Sequence, residues 1–529
     1  MDQATYDRLL AKAQRTKDLF TFDEFIRFWA ADRPDRLAME GDDLTFNFRE
    51  LEAATARVAS ALLAMGIGKG ERVAWLGKNS STYFTLFFGA ARAGIVMVPV
   101  GWRLAEREAA FIIDNAEAKA LFLGDGFEGA AATLGQRPGL LRCFTADEAR
   151  DLIANSPRSE FAPSLADEAV LQLYTSGTTG NPKGAVLSNR NLFGLRKAGL
   201  DNPPPHSLWD EDEAVLVAMP CAHIGGTGLG VMALSSGLPG VVLTEFEPTR
   251  VFDAVENRGV TRFFIVPAAL QLLLNHPDCA KTDFSRIKYI LYGASPIPLD
   301  LLRECIAMFG AEFVQNYGMT ETTGTICVLP PEDHTVEGNQ RMRSAGKPLP
   351  GVEVIIRGPD GAILPQGEIG EIVTRSSSNM LGYWQLPEAT ASTMDNDGWI
   401  ATGDVGYLDA DGYVYMFDRA KDMIITGAEN VYPAEVESAI YGHPDVLEVA
   451  VIGVPDEKWG EAVKAVCVPK PGHTIDPQSI MDWTRTRIAG FKVPKSVDVI
   501  DALPRNPSGK ILRRALREPY WAGRERNIN

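Results

Sequence analysis

The chain has 529 residues, of which 45% are hydrophobic and 23% are charged, which is typical of a folded globular protein and not of a disordered chain. Its formal net charge of −17 argues against nucleic acid or an anionic membrane surface as the main partner. The six cysteines have the spacing of neither a zinc site nor a disulfide framework, and they lie at positions 143, 221, 279, 305, 327 and 467.

The first 20 residues form a charged amphipathic stretch without the apolar centre of a signal peptide. A run of about 18 apolar residues, which a membrane-spanning helix needs, does not occur. We therefore expect a cytoplasmic protein without a transmembrane segment. The length allows two to four domains.

Strand and helix patterns alternate through the first 300 residues. Apolar residues recur at helical spacing in 48–65 and 83–94, and continuous apolar runs predict buried strands at 72–76 and 95–100. This alternation is typical of βαβ units and a mostly parallel sheet. Two doubly wound sheets would also accommodate the further buried strands predicted at 120–123, 214–219, 241–243, 263–266 and 287–292.

The pattern changes near residue 346. Short alternating segments at 352–357 and 371–374, separated by the turn signals PDG, NDG and DADG, predict an antiparallel sheet or barrel. A shorter α+β pattern follows from residue 418 to the C-terminus. The predicted fold class is thus α/β, with a large N-terminal domain and a small C-terminal one.

The segment YTSGTTGNPKG, at 174–184, follows an apolar strand pattern at 169–173 and combines glycines with hydroxyl groups and one lysine. Glycine lets backbone N–H groups approach an anion, the hydroxyl groups add donors, and Lys183 adds positive charge, so the segment predicts a phosphate-binding loop. The spacing of kinase and GTPase phosphate loops is not met, because Lys183 lies between Pro182 and Gly184. A flexible surface loop is the alternative interpretation.

Four further motifs follow in order: QNYGMTET at 315–322, TGD at 402–404, DRAKD at 418–422 and PRNPSGK at 504–510. Glu321 offers a carboxylate for Mg²⁺, and Tyr317 offers a ring that can stack on a base. Asp404 could bind the vicinal hydroxyl groups of a ribose. Taken singly, each motif is more typical of a turn or of a solvated surface lysine. Only their combination and their order along the chain indicate a function.

In this combination the chain resembles the adenylate-forming superfamily of acyl- and aryl-CoA synthetases, luciferases and peptide-synthetase adenylation domains. The segments ENVYPAEVE and VPDEKWGE are most similar to bacterial fatty-acyl-CoA synthetases. The resemblance implies an N-terminal adenylation domain at 1–417, made of two doubly wound sheets and a distorted β-barrel. It also implies a hinge at 418–422 with Lys421 as pivot, and a mobile C-terminal domain at 423–529.

The resemblance also assigns the ATP site. Phosphates and Mg²⁺ are assigned to the loop, to the QNYGMTET motif and to the C-terminal lysine; the residues are Thr175, Ser176, Gly177, Thr178, Thr179, Gly180, Lys183, Thr320, Glu321 and Lys510. Adenine and ribose are assigned to Gly293, Ala294, Ser295, Asn316, Tyr317, Gly318, Met319, Asp404 and Arg419. Carboxylate attack on a phosphate joins two anions, so positive charge must be placed where negative charge accumulates, which is the role expected of Lys510.

By the same resemblance, coenzyme A is expected at Arg103, Gly427, Ala428, Glu429, Trp459, Phe491 and Lys495. The acyl pocket is expected at Ala222, His223, Ile224, Gly226 and Gly318. Two residues depart from the family pattern: Ala428 stands where relatives often have glycine, and Ala222 where they usually have an aromatic residue. Without the motif context, His223 is more typical of a buried core histidine than of a gate beside the pocket.

The expected function is that of an ATP-dependent acyl-CoA synthetase acting on a medium- or long-chain fatty acid, with ATP, Mg²⁺ and coenzyme A as cofactors. The alternatives are a ligase for an aryl-propenoic or steroid side-chain acid, a ligase that loads the acyl adenylate onto a carrier protein, a luciferase-type oxygenase and a non-catalytic nucleotide-binding regulator. The carboxylic acid, ATP and coenzyme A are the expected partners, and a homodimer is left open.

Overall fold

The computed structural model describes residues 1–175, 181–419, 422–426, 429–505 and 511–522. The strands up to residue 419 are β1 (Leu37–Glu40), β2 (Thr45–Asn47), β3 (Arg72–Leu76), β4 (Val96–Val100), β5 (Ala118–Leu123), β6 (Arg142–Phe144), β7 (Ala169–Thr175), β8 (Lys183–Ser188), β9 (Val215–Val217), β10 (Gly240–Val242), β11 (Arg262–Ile265), β12 (Tyr289–Gly293), β13 (Glu312–Met319), β14 (Gly324–Leu329), β15 (Lys347–Pro348), β16 (Glu353–Arg357), β17 (Gly370–Arg375), β18 (Gly382–Tyr383), β19 (Ile400–Leu408) and β20 (Val414–Arg419).

The helices of the same part alternate with these strands. They are α1 (Gln3–Gln14), α2 (Phe22–Asp32), α3 (Phe48–Ala64), α4 (Ser81–Arg92), α5 (Glu106–Asn115), α6 (Ala146–Asn155), α7 (Asn189–Phe193), α8 (Leu195–Gly199), α9 (Ile224–Ser236), α10 (Pro248–Asn257), α11 (Pro267–Leu274), α12 (Leu299–Phe309) and α13 (Pro387–Thr393).

Two large sheets organise this part, as the alternating pattern predicted. One sheet has the order β15-β14-β13-β12-β11-β9-β10-β1-β2 and is parallel from β13 to β1. The other has the order β18-β8-β7-β4-β3-β5-β6 and is parallel from β7 to β6. Antiparallel strands lie at the edges of both, where β14 and β15 flank one sheet and β8 and β18 flank the other.

The two sheets share one hydrophobic core, and α4 lies at its centre. Every residue of α4 is buried, including the polar residues Ser81, Thr82, Thr85 and Arg92. Its Phe84 ring packs so closely on Gly230 of α9 that a Cβ atom at position 230 would lie 2.1 Å from Phe84 Cε1. Close packing of these two helices therefore depends on a glycine in α9.

The segment after residue 346 forms an antiparallel sheet with the open order β16-β17-β19-β20. It corresponds to the antiparallel sheet or barrel that the sequence predicted for this segment. The sheet of the C-terminal part has the order β22-β21-β24-β23, and a last strand pairs with β24 in parallel. Its elements are β21 (Ile424–Thr426), β22 (Glu429–Val431), β23 (Val446–Asp456), β24 (Gly460–Pro469), β25 (Ser496–Val499), α14 (Pro433–Ile440), α15 (Pro477–Arg485) and α16 (Arg513–Trp521).

The chain passes from one sheet to the next between Arg419, at the end of β20, and Ile424, at the start of β21. Phe417 and Tyr432 stack across this passage with ring centres 4.7 Å apart. Gln271 of α11 donates from Nε2 to the Tyr441 hydroxyl group at 3.4 Å, so the two parts also touch at a second place. The limits of the domains and of the hinge stay a prediction.

An ion pair between Arg262 and Glu213 is buried inside the first sheet, and both side chains are 2% exposed. Arg262 donates from Nη2 to Glu213 Oε1 at 3.0 Å and to the Leu208 carbonyl oxygen at 2.7 Å. Its guanidinium group also lies 3.9 Å from the ring centre of Trp209 and 4.3 Å from that of Tyr289. The pair thus fixes the 206–213 segment to the strands beneath it.

We expect Glu213→Gln to lower the free energy of unfolding by about 3 kcal/mol, because it leaves the buried guanidinium group of Arg262 without a counter-charge. Urea unfolding followed by tryptophan fluorescence measures the change. Glu353→Gln is the control, because its ion pair with Arg375 is exposed and such pairs contribute about 0–1 kcal/mol. An equal effect of the two substitutions would contradict the prediction.

Candidate active site

Side chains from two separate strands contact the carboxylate of Glu321, which is 6% exposed. The Tyr383 hydroxyl group, in β18, donates to Glu321 Oε1 at 2.6 Å, and the Thr175 hydroxyl group, at the end of β7, lies 3.5 Å from the same oxygen. Lys183 Nζ, at the start of β8, lies 5.1 Å from the centre of the Tyr383 ring. The structure therefore brings together Thr175, Lys183 and Glu321, three residues that the motifs selected.

Tyr383 was not among the predicted site residues. Burial, and then the neighbouring Glu321 carboxylate, raises the pKa of Tyr383 above its usual range, so its hydroxyl group stays protonated and donates to Glu321. The backbone adds a second link, because the Met380 N–H group donates to the Glu321 carbonyl oxygen at 2.8 Å. The aromatic residue in the sequence GYW, at 382–384, is the only signal that could have drawn attention to it.

The strand pair that carries the glycine-rich loop is anchored at its base by Tyr174. The Tyr174 hydroxyl group donates to Asn115 Oδ1 at 2.6 Å and accepts from Gln172 Nε2 at 3.0 Å. Gly184 lies against this group, since a Cβ atom there would be 2.6 Å from Gln172 Nε2 and 3.1 Å from the Tyr174 ring. The predicted phosphate loop therefore connects two strands, β7 and β8, whose positions are fixed. Thr175 pairs opposite Lys183 where the loop joins them.

The residues predicted to enclose adenine lie at the carboxyl ends of two neighbouring parallel strands. Gly293 ends β12 and pairs with Asn316 of β13, and a Cβ atom at 293 would lie 2.1 Å from the Asn316 carbonyl oxygen. Ala294 and Ser295 follow and are exposed, and Ala294 has a left-handed backbone with φ of 65°. Ligands of open α/β sheets bind at this end of the strands.

Tyr317 and Asp404, both predicted at the nucleotide site, contact each other. Tyr317 is 8% exposed and donates from its hydroxyl group to Asp404 Oδ2 at 2.7 Å. Burial, and then the Asp404 charge, raises the pKa of Tyr317, which keeps this hydroxyl group a donor. Arg419 pairs with Asp404 through the backbones of β19 and β20. Gly318, next to Tyr317, lies at an irregularity of the β13–β14 pair, where a Cβ atom would lie 1.7 Å from the Gly324 carbonyl oxygen.

Most of the predicted acyl-pocket residues lie at the start of α9. His223 stands at the N-cap position of this helix with an extended backbone and is half-buried, so it is not the fully buried core histidine of the alternative interpretation. Ile224 lies 3.5 Å from the position of a Cβ atom on Gly324, which places it beside Gly318 and Met319 of β13. Gly226 has no room for a side chain, because a Cβ atom there would lie 2.4 Å from the Met219 carbonyl oxygen.

Ala222 faces the end of β4. A Cβ atom on Gly101 would lie 4.0 Å from Ala222 Cβ and 3.3 Å from Leu104 Cγ, so small side chains and one leucine meet there. The turn before α9 is fixed by Asn79, which sequence analysis missed: Asn79 donates from Nδ2 to the Met219 carbonyl oxygen at 3.1 Å and accepts from the Cys221 N–H group at 2.9 Å. A single asparagine carries no recognisable sequence signal.

The predicted coenzyme A residues lie on both parts of the chain. Trp459 and Phe491 are 41% and 39% exposed on the C-terminal part, and Lys495 donates from its backbone N–H group to the Val463 carbonyl oxygen at 2.7 Å. Glu429, in β22, is exposed. Arg103 lies between β4 and α5 with its guanidinium group 4.3 Å from the Trp102 ring centre. The exposed aromatic and basic side chains are the chemistry expected for a nucleotide.

Several predicted residues lie outside the described ranges. They are Ser176, Gly177, Thr178, Thr179 and Gly180 of the loop, Lys421 of the predicted hinge, Gly427 and Ala428 of the predicted pantetheine tunnel, and Lys510, which was predicted to be catalytic.

Comparison with known proteins connects these motifs to one family. A family model described as AMP-binding enzyme matches residues 26–384, and one described as AMP-binding enzyme C-terminal domain matches residues 435–510. The chain belongs to the AMP-binding enzymes. It is an AMP-forming acid–thiol ligase of the acyl-CoA synthetase branch, as the ordered motifs predicted.

Similar proteins cover nearly the whole chain. A fatty acid–[acyl-carrier-protein] ligase, ScoC of Streptomyces coeruleorubidus, is 39% identical over 95% of this chain and 97% of its own. A feruloyl-CoA synthase of an Amycolatopsis species is 40% identical over 92% of this chain and 96% of its own. The ATP-bound structure of MatB from Rhodopseudomonas palustris matches with a TM-score of 0.85 and 32% identity, covering 94% of this chain and 99% of that one.

None of the helices that the structure describes is long and apolar enough to cross a membrane.

We expect Tyr383→Phe to lower kcat/KM for ATP about 10-fold in this AMP-binding enzyme, because Glu321 loses the donor that orients its carboxylate. The aromatic ring beside Lys183 remains, so folding should be little affected. Acid-dependent pyrophosphate exchange measures the change.

Tyr407→Phe is the matched control, because Tyr407 stacks on Tyr415 in the antiparallel sheet, with ring centres 5.0 Å apart. An unchanged exchange rate for Tyr383→Phe over a range of Mg²⁺ concentrations would show that the hydroxyl group does not position Glu321.

Proposed function

We propose that this enzyme activates an apolar carboxylic acid of medium to long chain as the acyl adenylate and then transfers the acyl group to coenzyme A. The observation that carries the proposal is that Thr175 and Tyr383 contact Glu321 with Lys183 beside the Tyr383 ring, while Ile224 of the predicted acyl pocket packs near Gly324, three residues after Glu321. A cation, a hydroxyl group and a carboxylate suit ATP and a metal ion. Small apolar residues suit an alkyl chain.

In the first half reaction, a carboxylate oxygen of the acid attacks the α-phosphorus of ATP and pyrophosphate leaves. Positive charge must compensate the negative charge that accumulates on the phosphate oxygens, and Lys183 and Lys510 are proposed for this role. Mg²⁺ is commonly held by one or two carboxylates together with substrate phosphates. The buried carboxylate of Glu321, fixed by Tyr383, is therefore a fitting protein ligand.

In the second half reaction, the thiol of coenzyme A attacks the acyl carbonyl carbon and AMP leaves. Trp459, Phe491, Lys495 and Arg103 are proposed to contact the nucleotide of coenzyme A, with Gly427, Ala428 and Glu429 along the pantetheine. Between the two steps, a change of backbone conformation at Lys421 is proposed to reorient the C-terminal part, so that a different face of it meets the active site.

Two alternatives concern the partner substrates, and each is supported by a similar protein. The similarity to an acyl-carrier-protein ligase supports a carrier protein as acyl acceptor, and the similarity to a feruloyl-CoA synthase supports an aryl-propenoic acid. A steroid side-chain acid is a further apolar candidate. An amino acid fits less well, because the segment at 222–228 carries no charge to pair with an amino group.

The decisive experiment measures AMP release with acetate, hexanoate, dodecanoate, ferulate and a steroid acid, each with coenzyme A, with an acyl carrier protein or with neither. The proposal expects coenzyme-A-dependent turnover with the highest kcat/KM for dodecanoate or hexanoate. Turnover only with the carrier protein would establish the first alternative, and a preference for ferulate the second.

We expect Ala222→Phe to shift the preference towards shorter acids and to lower kcat/KM for dodecanoate at least about 10-fold, since each excluded CH₂ group costs about 0.8 kcal/mol. Kinetics across the acid series measure this shift. Ala222→Ser is the control because it keeps the side chain small. An unchanged chain-length profile for Ala222→Phe would contradict the placement of the pocket.

We expect Lys510→Ala to reduce acyl-adenylate formation by a factor of about 100 or more, because its charge is needed while the pentavalent phosphate forms. Thioester formation from supplied acyl adenylate should be nearly unchanged. The two half reactions are measured separately, with Lys470→Ala on the C-terminal part as control. An equal loss in both half reactions would contradict this role.

A further inference from the structure

A small cavity lies away from the active site, where α1 packs on the body of the large N-terminal part. The helix is held there by hydrogen bonds to the 200–210 segment. The Tyr6 hydroxyl group donates to the Pro203 carbonyl oxygen at 2.8 Å, and Arg8 donates to both oxygens of Asp210 at 2.8 and 3.1 Å. The cavity has a volume of about 50 Å³, and its polar lining comes from Lys12, Thr16, Trp29, Arg196, Ser207 and Ser236.

Two buried donors belong to residues that line this cavity. Arg196 Nε and Trp29 Nε1 are inaccessible to solvent and have no hydrogen-bond partner within the described ranges. Each is an N–H group that can only donate. A buried donor without an acceptor costs about 1–3 kcal/mol, so two of them at one cavity indicate that an acceptor occupies it.

The charge of the lining indicates what kind of acceptor this is. The cavity is bordered by two cationic side chains and by no Asp or Glu of the described residues. Burial lowers the pKa of Arg196 to about 10 and, together with the charge of Arg33, that of Lys12 to about 8. Burial there disfavours the charged forms of both side chains.

Two other buried arginines of this protein, Arg92 and Arg262, have a carboxylate partner. Arg92 donates from Nε to Asp23 at 2.8 Å, and Arg262 is paired with Glu213 as described above. Arg196 instead donates to two hydroxyl oxygens, that of Thr16 at 3.0 Å and that of Ser235 at 3.3 Å. Hydroxyl groups complete hydrogen bonds but supply no negative charge, so within the described ranges no hydrogen-bonded carboxylate compensates the charge of Arg196.

We propose that this cavity binds a small monovalent inorganic anion, with chloride as the abundant candidate, between α1, α2 and α8. The volume exceeds the 10–15 Å³ that a single water molecule needs and is too small for a nucleotide or a fatty acid. Water would satisfy the two N–H groups, but only an anion also supplies the missing charge. The bound ion links Lys12 of the N-terminal helix to Trp29 and Arg196 of the body, which stabilises the packing of α1.

The test compares thermal unfolding in sodium chloride, sodium bromide and sodium gluconate at constant ionic strength. Chloride and bromide should raise the unfolding temperature by about 1–3 °C in a saturable manner, because an anion that binds only the folded state stabilises it. Arg196→Met should remove the response. Lys197→Met is the matched control and should retain it, since Lys197 is the next residue, is exposed and pairs with Asp18.

A crystal grown in sodium bromide gives a direct readout that does not depend on whether Arg196→Met folds. Anomalous scattering should place bromide within about 3.5 Å of Arg196 Nε. A cavity that holds only water in that crystal, or equal unfolding temperatures in chloride and gluconate, would overturn the proposal. Neither measurement depends on catalytic activity, so the proposed function is tested separately.

Discussion

The site depends on the bond between Tyr383 and Glu321, because this bond joins the two large sheets. Tyr383 belongs to β18, an edge strand of the seven-stranded sheet, whereas Glu321 follows β13 of the nine-stranded one, both as counted in the described ranges. A hydroxyl donor beside a buried carboxylate holds that carboxylate in one orientation. The position of the proposed metal ligand is therefore set by how the two sheets pack.

The shared core explains why this junction is rigid. The core includes side chains from both sheets together with α2, α3, α4 and α9, and α4 is buried along its whole length. Close-packed interiors transmit small displacements instead of absorbing them. The glycine contacts beside the site, at Gly293 and Gly318, leave no room for a Cβ atom and bring neighbouring strands together at the end where the nucleotide is expected.

The distribution of charge matches the proposed chemistry on an acidic protein. Although the net charge is −17, the site places Lys183 beside the base of the predicted phosphate loop, where a polyphosphate would meet it. Elsewhere, the buried Arg262 and Arg92 are paired with carboxylates in structural roles. Arg196 lies where α1 packs on the body of the N-terminal part. It differs from Arg262 and Arg92, because its described hydrogen-bond acceptors are neutral hydroxyl groups.

The sequence by itself determined the two large sheets, the change to an antiparallel sheet near residue 346 and the family, because apolar periodicity and ordered motifs are local properties of the chain. The predicted strand at 72–76 agrees with β3, and the others differ by one or two residues at their ends. Only the tertiary structure revealed Tyr383 and Asn79 as supports of the site, since each acts through a contact with residues far away in sequence. The cavity under α1 was likewise revealed only by the tertiary structure. Lys12, Trp29 and Arg196 lie on separate helices, and only the packing of these helices brings them together away from water.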